Sequence, residues 1–362
     1  MTALFLIPLL VGMGVTLAAV PPTMWLAQRW HLVQHPHRAQ DVHVRPVPRA
    51  GGLAIALGFL VAVAVAQGVP VERSDPNELI RLRGLVVGAV LAAVAGLVDD
   101  RHELPPAPQL AVQLGLALVA AWHLIFIERF RNPFDGSLVV VPAWIMVPFT
   151  VLWFMGTMNT MNWLDGLDGL AAGVAAIAGA VFALHMIRLE QYSVALLPLA
   201  LVGSTLGFLP YNFNPARVFM GTAGSLFLGY TLAALSIMAG AKVATMLLVL
   251  AIPILDVAWQ IVARLRRGAS PFRGDRGHLH HRLYDAGLSQ RQVVVGYWGV
   301  CAFLGALALL LPAPVYKLLA LTLFGGLGAL VLRALVPAHA SPDRQPPATE
   351  ADSSEIGASG PE

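Results

Sequence analysis

Charge is what this sequence has least of. Only 12% of its 362 residues are Asp, Glu, Lys or Arg, about half the share of an ordinary soluble chain, while 57% are hydrophobic and the mean hydropathy is +0.71. That balance excludes a water-soluble globular domain and gives no basis for a nucleic-acid partner. Cysteine is nearly absent too: Cys301 stands alone inside an apolar run, so no internal disulfide framework can form and packing is its simplest role. The first apolar run lacks a basic segment ahead of it and many others follow, so it reads as a retained helix and not as a cleaved signal.

What the chain has in abundance is oily sequence. Eleven runs are long enough to cross roughly 30 Å of hydrocarbon as helices. They centre on 4–26, 53–69, 84–98, 110–127, 141–156, 170–187, 194–209, 225–238, 243–263, 293–311 and 316–335. The expected fold is an all-α polytopic membrane protein of about 11 transmembrane helices, a single domain over 1–336. The stretch 337–362 is too rich in Pro, Ser, Ala and acids to bury itself, and reads as a disordered cytoplasmic tail.

The basic residues orient it. With the N-terminus outside, most of the 23 Lys and Arg fall on inner loops and the tail, among them Arg29, Arg38, Arg45, Arg49, Arg101 and the arginines between 264 and 291. The positive-inside bias therefore favours N-out, C-in. That topology puts five polar segments on one side: "HVRPVPRAGG", "DDRHELPP", "NTMNWLDGLDGLA", "PYNFNPARVFMGTAGS" and "RGASPFRGDRGHLHHRL". A single inner-face site assembled from these loops explains them better than five unrelated hairpins.

Each segment carries chemistry. Asp99 and Asp100 close the third run; one acid there would simply end a helix, but two, backed by Arg101 and His102, suit a divalent cation or proton handling beside phosphate. Asn159, Asn162 and Asp165 recur every third residue, so a helix would place them on one broad face. Asp168 stands where it can cap the next helix, which would leave the other three unexplained. Asp256 lies within an apolar run, where a carboxylate marks either function or a salt bridge to a neighbouring helix. His278, His280 and His281 sit among arginines. Zinc ligation, phosphate binding and attraction to anionic lipid are all open to such a cluster, and Arg beside His favours phosphate.

As an ordered set these motifs resemble the polyprenyl-phosphate N-acetylhexosamine-1-phosphate transferases, glycosyltransferase family 4, over 43–283. The "GHLHHRL" form is most similar to the UDP-GlcNAc branch, whose members start teichoic acid, O-antigen lipopolysaccharide and related cell-wall glycans. The resemblance implies an inner-membrane enzyme that joins a UDP-N-acetylhexosamine to undecaprenyl phosphate with release of UMP. It implies Mg²⁺, with Mn²⁺ as an alternative, held by Asp99, Asp100 and Asp165. It further implies Asp99 acting on the lipid phosphate, and Asn159, Asn162, Asp165, Asp168, Asn212 and Asp256 lining the substrate pocket with Phe219 stacked on uracil. His278, His280, His281, Arg45, Arg276 and Arg282 would hold diphosphate and sugar. Oligomeric state stays open, a homodimer included.

Three positions depart from the family pattern. Thr222 stands in "FMGTAGS" where the family has its metal-binding Asp; Gln109 replaces a usual Lys or Arg, and Asp41 sits where many members are basic. A hydroxyl is a far weaker magnesium ligand than a carboxylate. The departure leaves two expectations: an active transferase, or a weak homologue that only binds nucleotide sugar or polyprenyl phosphate.

Overall fold

The computed structural model of the chain describes residues 2–35, 45–238, 243–268 and 277–334. The expected tail, Asp41 and Arg276 lie outside them. Thirteen helices are found among the described residues. They are α1 (Thr2–Arg29), α2 (Gly51–Ala66), α3 (Glu78–His102), α4 (Pro106–Trp122), α5 (Ala143–Leu164), α6 (Leu170–Arg188) and α7 (Tyr192–Asn212). There follow α8 (Gly221–Met238), α9 (Val243–Val249), α10 (Ala251–Arg266), α11 (Leu279–Asp285), α12 (Gln290–Leu310) and α13 (Pro314–Ala334). The bulk of every apolar run is helical.

Seven of these helices are long and apolar enough to cross a membrane among the described residues: α1, α3, α6, α7, α8, α12 and α13. The run 243–263 does not form the one straight span expected of it. It splits into α9 and α10, which meet at 79° and bring the total to eight if the bent pair is one crossing. The cause is local: Pro253 has no N–H to offer the carbonyl of Val249, so the ladder of α9 stops and that of α10 begins with Ile254 N–H on Leu250 at 2.8 Å. α2 and α4 are apolar but shorter. Helix is not quite universal either. Val33–Gln34 (β1) pairs antiparallel with Val47–Pro48 (β2), and Arg129–Arg131 (β3) with Leu138–Val140 (β4).

α8 is the axis of the bundle. All 18 of its residues are buried, and none is charged, because a helix enclosed on every side has no polar face to present. Its neighbours come close through small residues. A Cβ at Gly52 of α2 would lie 2.3 Å from the Cα of Gly224, so the two backbones touch, a packing mode that membrane helices favour. From α3, Gly88 sits under the ring of Tyr230, whose hydroxyl donates to the Gly84 carbonyl at 2.8 Å. The outer helices do the opposite. α13 turns Leu319, Leu323, Leu327 and Leu330 outward, an apolar exterior that suits a hydrocarbon solvent and not water.

Candidate active site

α3 runs on past its apolar stretch and carries both acids in its last turns, ending at Glu103 in a left-handed conformation. Asp99 and Asp100 are each 8% exposed but face different partners. Asp100 Oδ1 accepts from the Thr222 N–H at 2.9 Å and from Arg49 Nη2 at 3.0 Å, while Oδ2 accepts from the Ala223 N–H at 3.1 Å. The first N–H groups of α8 have no partner within their own helix, and their positive end favours an anion. A carboxylate from α3 supplies it. Gly221 makes this approach feasible: its φ is +68°, and a Cβ there would meet Asp100 Oδ2 at 2.5 Å.

Asp99 turns to the start of α4. Its Oδ1 accepts from the Leu104 N–H at 3.1 Å and from Gln109 Nε2 at 2.9 Å, so the glutamine that replaces a basic residue still binds this acid, without neutralising it. A small cavity opens between Asp99, Gln109, Gln113, Asn162 and Thr222.

In "NTMNWLDGLDGLA", α5 continues through Asn159 and Asn162 to Leu164, and Asp165 is its C-cap. Asn159 and Gln113 exchange side-chain amide hydrogen bonds of 2.8 and 3.2 Å, and Asn162 Oδ1 accepts from the Ser225 hydroxyl at 2.9 Å. Asp165 keeps part of its surface open, yet the protein packed around it withdraws solvent and pushes its carboxyl well above the usual range. Asp100 and Asp168 add to that shift and Arg49 opposes it.

Asp168 is not the cap of α6, as its position suggested. Gly169, at φ +83°, takes that place, and Asp168 Oδ2 accepts instead from Asn214 Nδ2 and the Ala216 N–H, both at 3.0 Å. Asn212 works beside it, accepting from Gly169 N–H at 3.0 Å and donating to the Val218 carbonyl at 2.9 Å. Both residues thereby fix the loop that ends in the partly buried Phe219.

The histidines are held by α10. Asp256, 3% exposed, accepts from His278 Nδ1 at 3.0 Å and from the Leu279 N–H at 2.8 Å, which starts α11. The His280 ring lies 5.6 Å from His278 and 4.4 Å from His281. Burial, with His281 and His278 adding to it, holds His280 well below its ordinary range, so it is neutral near pH 7. Trp163 faces His278 at 5.6 Å and the Arg264 guanidinium at 5.8 Å. Arg282 donates to the carbonyls of Gly277 at 2.6 Å and Leu332 at 3.3 Å, tying α11 to α13.

Contacts join all five polar segments. Phe219 N–H donates to Pro48 at 2.8 Å and Gly51 N–H returns to Phe219 at 3.0 Å; a Cβ at Gly166 would lie only 2.7 Å from His280 Nε2. Arg45 is exposed, and it is Arg49, four residues on, that reaches the Asp100 carboxylate. Sequence reasoning passed over Arg49, Gln113, Asn214 and Ser225. For Arg49 the signal was its place just before Ala50, Gly51 and Gly52, where the chain must pack against α8.

The chain has counterparts among known proteins. Residues 82–240 match Glycosyl transferase family 4. The chain is 32% identical over 262 residues, 71% of each chain, to a probable undecaprenyl-phosphate N-acetylglucosaminyl 1-phosphate transferase of Bacillus subtilis (strain 168). It belongs to glycosyl transferase family 4. Other relatives are a decaprenyl-phosphate N-acetylglucosaminephosphotransferase of Mycobacterium leprae, 37% identical over 77% of each chain, and a phospho-N-acetylmuramoyl-pentapeptide-transferase of Halalkalibacterium halodurans. The latter is 32% identical over 73% of this chain and 83% of its own. The family is enzymatic. Its matched stretch in this glycosyl transferase runs from α3 into the residues just beyond α8, so the Asp256 and histidine cluster lies outside it.

The expected magnesium ligands were Asp99, Asp100 and Asp165. Their donor set does not fit the ion as it stands. Among the described residues no three metal-type side chains converge, Asp100 is taken up by N–H donors and a guanidinium, Asp99 faces Gln109, and Thr222 offers only a hydroxyl. Magnesium demands near-octahedral oxygen donors.

Proposed function

We propose that this glycosyl transferase moves a sugar 1-phosphate, N-acetylglucosamine 1-phosphate by preference, from a UDP-N-acetylhexosamine to undecaprenyl phosphate and thereby initiates a cell-envelope glycan. The observation that carries this reading is the meeting of five polar segments from separate loops at one end of an apolar bundle. A lipid acceptor and a water-soluble donor can meet only at such an end. The proposed setting is a bacterial inner membrane crossed eleven times, N-out and C-in, with the site on the cytoplasmic side.

In the reaction, an oxygen of the lipid phosphate attacks the sugar-bearing phosphorus of the donor. A new P–O bond forms, the bond to the bridging oxygen breaks, and UMP leaves with the electron pair. Phosphoryl transfer needs alignment and charge neutralisation more than a covalent helper. Asp99 is assigned to position the lipid phosphate and Asn162 and Asp165 to line the nucleotide pocket. Asp168 and Asn212 hold the loop bearing Phe219, the uracil platform. His278, His280 and His281, with Arg45, Arg276 and Arg282, are assigned to the diphosphate and sugar. Magnesium or manganese enters this proposal only as an ion carried in by the nucleotide diphosphate.

A second reading has its own observation. Thr222 and the occupied Asp100 also suit a homologue that binds nucleotide sugar or polyprenyl phosphate without turnover. UMP release by purified protein in detergent, with undecaprenyl phosphate and UDP-GlcNAc, separates the two. The transferase reading expects release that requires both substrates and falls at least about a hundredfold in Asp99→Asn, a loss of about 2.7 kcal/mol. Saturable UDP-GlcNAc binding with no UMP from any UDP-N-acetylhexosamine would leave the binding reading.

A further inference from the structure

The partners of Asp100 are all N–H groups. Arg49 and Thr222 donate to one oxygen and Ala223 to the other. Its side chain is 0% exposed, and that of Arg49 is 20% exposed. The Arg49 backbone is pinned on both sides, by its own N–H on the Leu32 carbonyl at 2.8 Å and by Gly51 N–H on Phe219 at 3.0 Å. The guanidinium is therefore carried on a fixed stretch of backbone, and it stays charged in water.

We propose that Arg49 is the resident counter-cation of Asp100, so that this chain holds by a guanidinium a carboxylate that a divalent ion would otherwise neutralise. A divalent ion seated there would meet the positive charge of Arg49 and the positive end of α8, and Thr222 would add only a hydroxyl to the acid already engaged by these groups. Arg49 has further N–H groups in its planar fork besides the one spent on Asp100, and phosphate oxygens match that fork geometry. It becomes a positioning residue for the transferred phosphate. This consequence rests on the transferase reading, whereas the counter-cation itself is tested without turnover.

The full chain in detergent, free of nucleotide, is titrated with Mn²⁺ and the free ion is followed by electron paramagnetic resonance. Wild type and Arg49→Lys are expected to show no saturable site below about 1 mM, the weak end of protein oxygen sites. Arg49→Gln keeps the acid and removes the charge; it is expected to gain one site at least about tenfold tighter. Adding Asp100→Asn to that variant should abolish the site. A wild-type site that is lost in Asp100→Asn, or an Arg49→Gln protein that binds no tighter than wild type, overturns the proposal. Should Arg49→Gln not stay monodisperse, wild type against Asp100→Asn decides: equal Mn²⁺ uptake supports it and reduced uptake refutes it. Failure of transfer activity alone bears on the proposed function and leaves this measurement intact.

Discussion

Asp256 accepts the ring N–H of His278 at 3.0 Å while capping α11 through the Leu279 N–H at 2.8 Å. An acid inside an apolar helix thus does two things: it starts a seven-residue helix too short to hold itself, and it selects one histidine tautomer. A carboxylate only accepts, so Nδ1 carries the proton and Nε2 is left for a ligand.

Asp256→Asn retains the shape and loses that selection, because an amide can present N–H to the ring. UMP release is expected to fall about tenfold to a thousandfold, or about 1.4–4 kcal/mol, with the protein still folded. Asp256→Leu strands two buried donors and should also cost about 2–4 kcal/mol of stability in a thermal melt. An Asp256→Asn enzyme as fast as wild type would remove Asp256 from the site.

Gly166→Ala adds one methyl at the point where the opening loop meets the histidines, 2.7 Å from His280 Nε2 and 3.3 Å from His281 Nε2. Neither ring is surface-mobile, since both are buried. Overpacking of this kind costs about 1–3 kcal/mol. Donor KM should rise along with that loss; a variant with unchanged KM and melting temperature would show that the loop and histidines slip past one another.

Thr222→Asp places a second carboxylate in the first turn of α8, beside Asp100. Mg²⁺ at a hundredfold excess over its dissociation constant would then stabilise the variant by about 2.7 kcal/mol, and wild type not at all. Equal melting shifts in the two proteins would mean that position 222 does not face a cation.

His280 has a pKa lowered by burial and by His281 and His278. Below its ordinary value near 6.5 the unfolded chain binds a proton that the folded chain refuses. Stability should therefore be full above about pH 7 and decline as the pH falls, by at most about 1.4 kcal/mol per unit for one site. His280→Gln should flatten the melting temperature between pH 7 and 5; an unchanged slope would assign the acid sensitivity to other groups.

Much of this was legible in the residues themselves. The apolar runs, the five polar segments and their shared side could be read because burial in lipid or protein leaves a local mark on composition. For Asp168 the sequence left a capping role open beside a place in the substrate pocket, because a capping acid and a loop-tethering acid look the same in sequence; only the position of Asn214 and Ala216, 46 and 48 residues away, separates them. Pro253 was visible, but an apolar run of ordinary length hid the bend it imposes.

The chain by itself determined the class of molecule, the placing of its helices and the stretches that carry chemistry, since these follow from hydropathy and short-range hydrogen bonding. Only the tertiary structure decided which groups meet. Arg49 and Asp100 lie 51 residues apart, and their pairing depends on α2 and α3 both closing on α8. That approach is set by side-chain volume at contacts such as Gly52 against Gly224, a property of two surfaces at once that no local pattern records.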